Sequence, residues 1–142
     1  MKAYYTALYT YFSATTGGAH NDFYDAIGGR LYQFEAPDDA EYPYCVYSHV
    51  SDFQIDTFSA DIDNIIIQFS IYSEKSSKQE LLDTMTYLKS ALNDCNLTIS
   101  GGYVITFFWL NDSILVDEVN TPAGIQEISI FTCDFSSVFQ RI

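Results

Sequence analysis

Basic residues are scarce in this 142-residue chain: six Lys and Arg stand against nineteen Asp and Glu, for a formal net charge of −13. Nucleic acids and anionic membranes are bound by neutralising phosphate with cations, so an excess this acidic argues against both as partners. Long apolar runs are missing as well. The opening Met1-Lys2-Ala3-Tyr4-Tyr5-Thr6 lacks the apolar stretch of about 7–15 residues that a secretory signal carries. No window approaches the ~18 consecutive apolar residues of a membrane-spanning helix. The expectation is a soluble protein that stays where it is made, with no membrane partner.

Chemistry-bearing residues are also few. The three cysteines, Cys45, Cys95 and Cys133, show no Cys-x-x-Cys spacing and read as reduced thiols rather than zinc or redox ligands. Sequons at Asn96 and Asn111 matter only in a secreted protein and read as unused. A nucleophilic site needs a base beside its nucleophile, usually histidine, and only His20 and His49 occur. Cys45 and His49 share a strand face but stand about 13 Å apart along an extended chain, so they form no dyad. The acidic pairs Asp38-Asp39, Asp61-x-Asp63 and Asp117-Glu118 come without His-Glu-x-x-His or the glycine and closing glutamate of a calcium loop. They read as solvated turns and strand ends. Glycine pairs at 17–18, 28–29 and 101–102 fit no phosphate-binding loop and act as breakers. The expectation is no catalytic residue, no metal site and no cofactor.

Apolar residues, by contrast, make up 48% of the chain and aromatics 17%, with 12 Tyr and 11 Phe. That composition excludes disorder, collagen and coiled coil. A chain of this length buries roughly two thirds of its unfolded surface, enough for one domain over residues 1–142. The aromatics read as core or interface before they read as a ligand-stacking surface.

Periodicity supplies the elements. Tyr4, Leu8 and Phe12, flanked by Ala7 and Tyr11, make a stripe on an N-terminal helix over residues 1–14, stopped by Gly17-Gly18. Residues 19–29 are mixed. Residues 30–34 alternate as a short strand, 35–41 are an acidic turn, and Pro43 opens a strand through Val50. Residues 52–61, with Phe53 and Phe58, read as a hairpin arm or loop. Residues 62–73 alternate Ile65, Ile67, Phe69 and Ile71 with polar and aromatic neighbours, a half-buried strand. Ser77 and Glu80 form a capping box ahead of a helix whose Leu81, Met85, Leu88 and Leu92 share one face. Residues 103–110 and 114–119 read as a hairpin about a turn at Asn111-Asp112-Ser113. Pro122-Ala123-Gly124 then turns the chain into a strand over 125–135, followed by a short tail. The sum is an α+β fold: a mainly antiparallel sheet with an N-terminal helix and one long helix packed on one face.

Three short motifs carry a resemblance. Gly29-Arg30-Leu31-Tyr32, Ala36-Pro37-Asp38-Asp39-Ala40 and Tyr42-Pro43-Tyr44-Cys45-Val46-Tyr47 are similar to the tail-completion, or tail-terminator, proteins of long-tailed bacteriophages. The likeness continues through the alternating strand at 65–73, ending Tyr72-Ser73 where the family has Trp-Ser, and through the capped helix at 77–92. It covers residues 3–95, and 96–138 in strand order only, with Asp117-Glu118 where the family often carries basic residues. The resemblance implies a structural virion protein without catalysis or cofactor. Its subunits form a ring, usually a hexamer, that caps the tail tube, ends tail growth and joins the tail to the head. The implied partners are further copies of the chain, the tail-tube protein and a head-completion or neck protein, with DNA passing through the channel unbound. The implied location is the head–tail junction, after assembly in the host cytoplasm. Residues 52–61 match in position the arm that reaches a neighbouring subunit or the tube, which nominates Phe53, Ile55 and Phe58 as interface residues; Arg30, one of only six basic residues, is nominated as a bridge to an acidic neighbour. Alternatives are another neck connector or tail-tube subunit, or a small soluble ligand-binding or enzymatic domain.

Overall fold

The computed structural model of the protein describes residues 2–14, 19–56, 58, 61–74, 79–93, 95, 97–99 and 102–141. The helix stop at Gly17-Gly18, the sequon at Asn96, Gly101 and the Ser77 half of the capping box lie outside the described residues. In chain order the elements are α1 (Lys2–Ser13), α2 (Ala19–Ala26), β1 (Leu31–Gln33), β2 (Tyr44–Asp56), β3 (Asp61–Ser73), α3 (Gln79–Leu92), β4 (Leu97–Ile99), β5 (Gly102–Thr121) and β6 (Gly124–Arg141). The strands form one six-stranded sheet in the order β1-β2-β3-β6-β5-β4. Neighbours run antiparallel except β1 and β2, which are parallel. The fold is the α+β arrangement that the periodicities predict, with the helices against one sheet face.

Alternation along β3 organises the core. Ile65, Ile67, Phe69 and Ile71 point to the helix side and are fully buried. Their ladder partners on β6, Ser137, Phe135, Cys133 and Phe131, are buried beside them, as are Cys45 and Tyr47 on β2. The α1 stripe closes over this surface with Tyr4, Leu8 and Phe12, and α3 adds Leu81, Leu88, Ala91 and Leu92. Phe12 lies 6.0 Å from Phe69 and 5.1 Å from Phe23, ring centre to ring centre. Phe69 in turn meets Tyr47 at 5.7 Å and Phe135 at 5.9 Å. Full burial of one such side chain stabilises by about 1.5–3 kcal/mol, so this aromatic knot is the centre of the fold.

The mixed stretch after α1 contains a helix that periodicity does not announce. Only Phe23 and, just past its end, Ile27 are buried from α2, too few to draw a stripe. Its end is clear: the Gly29 N–H bonds the Tyr24 carbonyl at 2.9 Å, and Gly28 and Gly29 take positive φ of 60° and 74°, the conformation that glycine adopts without strain. Gly28 also lies close under the Arg30 guanidinium. A Cβ there would stand 2.6 Å from Arg30 Nη1. Arg30 folds back over it to donate from Nε to the Pro43 carbonyl at 2.9 Å and from Nη2 to the Tyr42 carbonyl at 3.4 Å.

Two expectations in the C-terminal half are corrected. No turn forms at 111–113. β5 runs unbroken from Gly102 to Thr121, and the polar triplet is absorbed by a register shift between Trp109 and Asn111. A bulge places one extra residue on the strand and keeps the ladder going, and Lys89 of α3 holds it: its Nζ reaches Asp112 at 2.6 Å and sits 4.3 Å over the Trp109 ring. Nor is the tail a short end. β6 continues to Arg141, pairing with β3 from Ser129 to that end. Ser137 is buried there, donating to the Ile65 carbonyl at 3.0 Å and meeting the Tyr4 hydroxyl at 2.7 Å.

β2 carries its own register shift, between His49 and Ser51. The His49 N–H donates to the Tyr5 hydroxyl at 2.7 Å, and the same oxygen lies 2.8 Å from His49 Nδ1. Tyr5 of α1 thus completes the hydrogen bonding of β2 just past its last pair with β1, at Tyr47. Tyr5→Phe leaves that part-buried N–H without its acceptor and is expected to cost about 1–3 kcal/mol. The check is a urea midpoint, together with faster amide exchange at His49.

Candidate functional site

Each candidate chemical group has a structural occupation. His49 is tied to Tyr5. The His20 ring lies 4.7 Å from the Tyr11 ring, at the rim of an open groove of about 870 Å³ between α1 and β4, lined mainly by Ala3, Ala7, Tyr11, Leu97 and Ile99. The cysteines are free, with Cys45 and Cys133 buried. Burial pushes the Cys45 thiol well up from its ordinary 9.0 and that of Cys133 up to about 12, and it also raises Cys95. Thiols held protonated are poor nucleophiles and poor ligands. Asp38 and Asp39 sit in an exposed turn, and Asp117 and Glu118 are adjacent on β5 and so face opposite ways. Among the described residues no group of three or more His, Cys, Asp or Glu could hold a metal ion. No helix among them is long and apolar enough to cross a membrane.

What the molecule does present is exposed apolar surface on two hairpins. The first joins β2 to β3 and displays Val50, Phe53, Ile55 and the fully exposed Phe58. The β2 register shift decides which way these side chains face. Before it Cys45 and Tyr47 point to the helices; after it Phe53 and Ile55 pair with Asn64 and Ile62, on the open side of the sheet. One added residue reverses the alternation. Arg30 is not part of this cluster. It sits by Tyr42 and Pro43, at the start of β2, about 30 Å from the arm by strand rise. Phe53 and Ile55 are thus brought onto one face with Phe58 in the adjoining turn, and Arg30 lies toward the other end of the sheet.

The second hairpin is one that sequence reasoning split in two. β5 and β6 pair continuously out to a two-residue turn at Pro122-Ala123. β3 accompanies β6 only as far as Ser129. The ribbon therefore projects five residues past β3, about 17 Å at strand rise. The hairpin exposes Phe108, Trp109, Leu110, Ile114, Leu115 and Val116 alongside β3, and Val119 and Ile125 in the projecting part. The signal for it was present: apolar clusters separated by polar residues, with no Lys or Arg anywhere from 90 to 140. Because β5 and β6 are antiparallel to each other and β6 to β3, the two hairpin tips lie at opposite ends of the sheet.

The open sheet face adds a third feature. Tyr44 and Tyr72 stack at 4.7 Å, with Tyr32 6.1 Å and Tyr42 5.3 Å from Tyr44. Burial and the neighbouring tyrosines raise the Tyr44 phenol to about 12. Farther along, Gln68 donates to Asp134 at 2.9 Å and Ser136 to Asn64 at 2.9 Å.

Residues 19–132 match the family described as Tail completion protein gp17. No curated protein matches the chain. Among solved structures, a chain of the "Virion of native gene transfer agent (GTA) particle" superimposes with a TM-score of 0.65 at 13% identity, covering 95% of this chain and 96% of that one. At that identity the likeness speaks for the fold. The family is one of structural virion tail proteins and not of enzymes. The chain belongs to the tail completion protein gp17 family, and is a structural tail protein.

Proposed function

We propose that this chain forms a ring, built as a hexamer, that caps the tail tube, stops its growth and joins the tail to the head or neck. Its partners in this reading are further copies of itself, the tail-tube protein and a head-completion or neck protein. It acts at the head–tail junction, and assembly takes place in the host cytoplasm. The observation that carries the reading is the β2–β3 arm: exposed Phe53, Ile55 and Phe58 on a hairpin in a member of a tail completion family. Apolar side chains gathered at one end of the sheet are suited to burial against a neighbour.

Charge supports the same reading. A ring of chains each carrying −13 lines its channel with negative potential, and passing DNA is repelled from the wall instead of bound through counterion release. Arg30 contributes by fixing the Tyr42–Pro43 segment at the start of β2 and by presenting one of the few cations available to an acidic neighbour.

Deleting residues 53–60 tests the arm. The expected result is a shortened hairpin on an intact core, with unchanged far-ultraviolet circular dichroism, and loss of closed rings and of tail-end capping in negative-stain micrographs. Normal capping by the deleted chain would sink the arm assignment. Immunogold labelling of virions addresses location: label at the head–tail junction agrees with the reading, and label along the tail replaces it with a tube subunit.

A further inference from the structure

The longest free strand edge among the described residues belongs to β5. β4 covers it only at residues 102–104, so residues 105–121, apart from the extra residues Ile105 and Leu110, pair with β6 on one side, and the stretch meets no described strand on the other. At strand rise this edge is about 55 Å long. Such an edge is a row of backbone donors and acceptors ready to take another strand, and folded proteins usually guard it with lysine, proline, bulges or a short length. The two register shifts of β5 lie near its start, at Val104/Thr106 and Trp109/Asn111, and residues 111–121 run without one. Here there is no Lys or Arg from 90 to 140, and the one proline of that stretch stands at the tip, Pro122.

The side chains beside the edge state what the added strand must carry. Leu115, Asp117 and Val119 alternate on the open face, while Ile114, Val116 and Glu118 alternate on the other. An incoming strand therefore meets apolar side chains on both of its faces, and next to them a carboxylate on each. Glu127 lies directly across from Glu118 in the ladder and deepens the negative potential there. A second copy of this chain is a poor occupant. Its own β5 edge brings the same Asp117 and Glu118, and its other long free edge, residues 48–56 of β2 beyond the end of β1, carries Asp52; like charges set opposite each other in a sheet are destabilising.

We propose that the β5 edge binds, by strand addition, an extended segment of a different protein that carries apolar residues opposite 114–116 and lysine or arginine opposite Asp117 and Glu118. Backbone pairing supplies affinity, and the cations set direction and partner choice. The inference concerns β5 and does not depend on the β2–β3 arm forming a ring.

The test uses the full-length protein and three fluorescent peptides of alternating valine and threonine: one with two adjacent central lysines, one with glutamates in their place, and the lysine peptide with a mid-segment proline. The lysine peptide is expected to bind saturably, at least about tenfold more tightly than the glutamate peptide at low salt, with the preference shrinking as salt is added. Hydrogen exchange on the bound protein should slow at residues 112–119. The double variant D117K/E118K, with both sites exposed and the fold checked by circular dichroism, should reverse the preference. Equal binding of the lysine and glutamate peptides would overturn the proposal. So would undiminished binding of the proline peptide, which cannot complete a ladder, or protection confined to the β2–β3 arm.

Discussion

Replacing Phe69 with alanine is expected to remove about 3–5 kcal/mol of stability, the cost of emptying a buried aromatic site that cannot collapse. Phe69 is fully buried in the middle of β3, the third strand in a sheet of six. Rings surround it on three sides: Phe12 from α1, Tyr47 from β2 and Phe135 from β6. None of these can move into the vacated space without leaving its own element. Against a total stability of about 5–15 kcal/mol for a domain, that is a large share. Phe69→Leu retains most of the volume and is expected to lose about half as much. Urea unfolding of the three proteins checks the order. A midpoint for the alanine variant within error of the parent would mean that the aromatic knot is not the centre of the fold.

Alkaline pH is expected to unfold the protein from pH 9 upward. Burial raises the Cys133 thiol from its ordinary 9.0 to about 12, raises Cys45 further, raises the Tyr47 phenol from 10.0 to about 12, and lifts Tyr4 well above 10.0. The sign follows from proton counting. Between the ordinary value and the raised one, the unfolded chain has released a proton that the folded chain still holds, so rising pH favours unfolding. Each fully buried group contributes a slope of at most about 1.4 kcal/mol per pH unit. Below pH 9 these groups are protonated in both states and add no slope. The urea midpoint should thus begin to fall near pH 9, where the thiols enter, and steepen above pH 10, where the phenols join. In a Cys45→Val, Cys133→Val double variant the first limb should shrink to what Cys95 contributes and the second remain. A midpoint constant from pH 8 to 11 would contradict the burial of these groups.

Much of this fold is legible in the residues because the deciding pattern is local. β3 alternates without a break, α3 steps by three and four, and the α1 stripe needs only Tyr4, Leu8 and Phe12. What is not legible depends on partners far along the chain. α2 buries Phe23 and Ile27 in a core assembled by other elements, and its own sequence is polar. Asn111-Asp112-Ser113 has turn chemistry, yet Lys89, some twenty residues earlier, captures Asp112 and the strand runs on through a bulge. The contact surfaces divide in the same way. Phe53 and Ile55 stand out as apolar residues in a polar stretch, but the face they occupy is fixed by the register shift after His49, which alternation alone does not reveal. Arg30 invites an interface role as a rare cation, while its bonds to the Tyr42 and Pro43 carbonyls are a matter of three-dimensional folding.

The opposite placement of the two hairpin tips has a mechanical meaning. Any load applied between them, one pulled up and the other down, must cross from β3 to β6, because the first tip belongs to β3 and the second to β6. Those strands are joined by thirteen consecutive residue pairs, from Asp61–Arg141 to Ser73–Ser129. Interstrand hydrogen bonds lie perpendicular to the strands, so tension along the strand axis loads that ladder in shear. The bonds then bear the force together and cannot open one at a time from an end as a zipper does. The central pair of strands is a tension member, with its attachment points at either end.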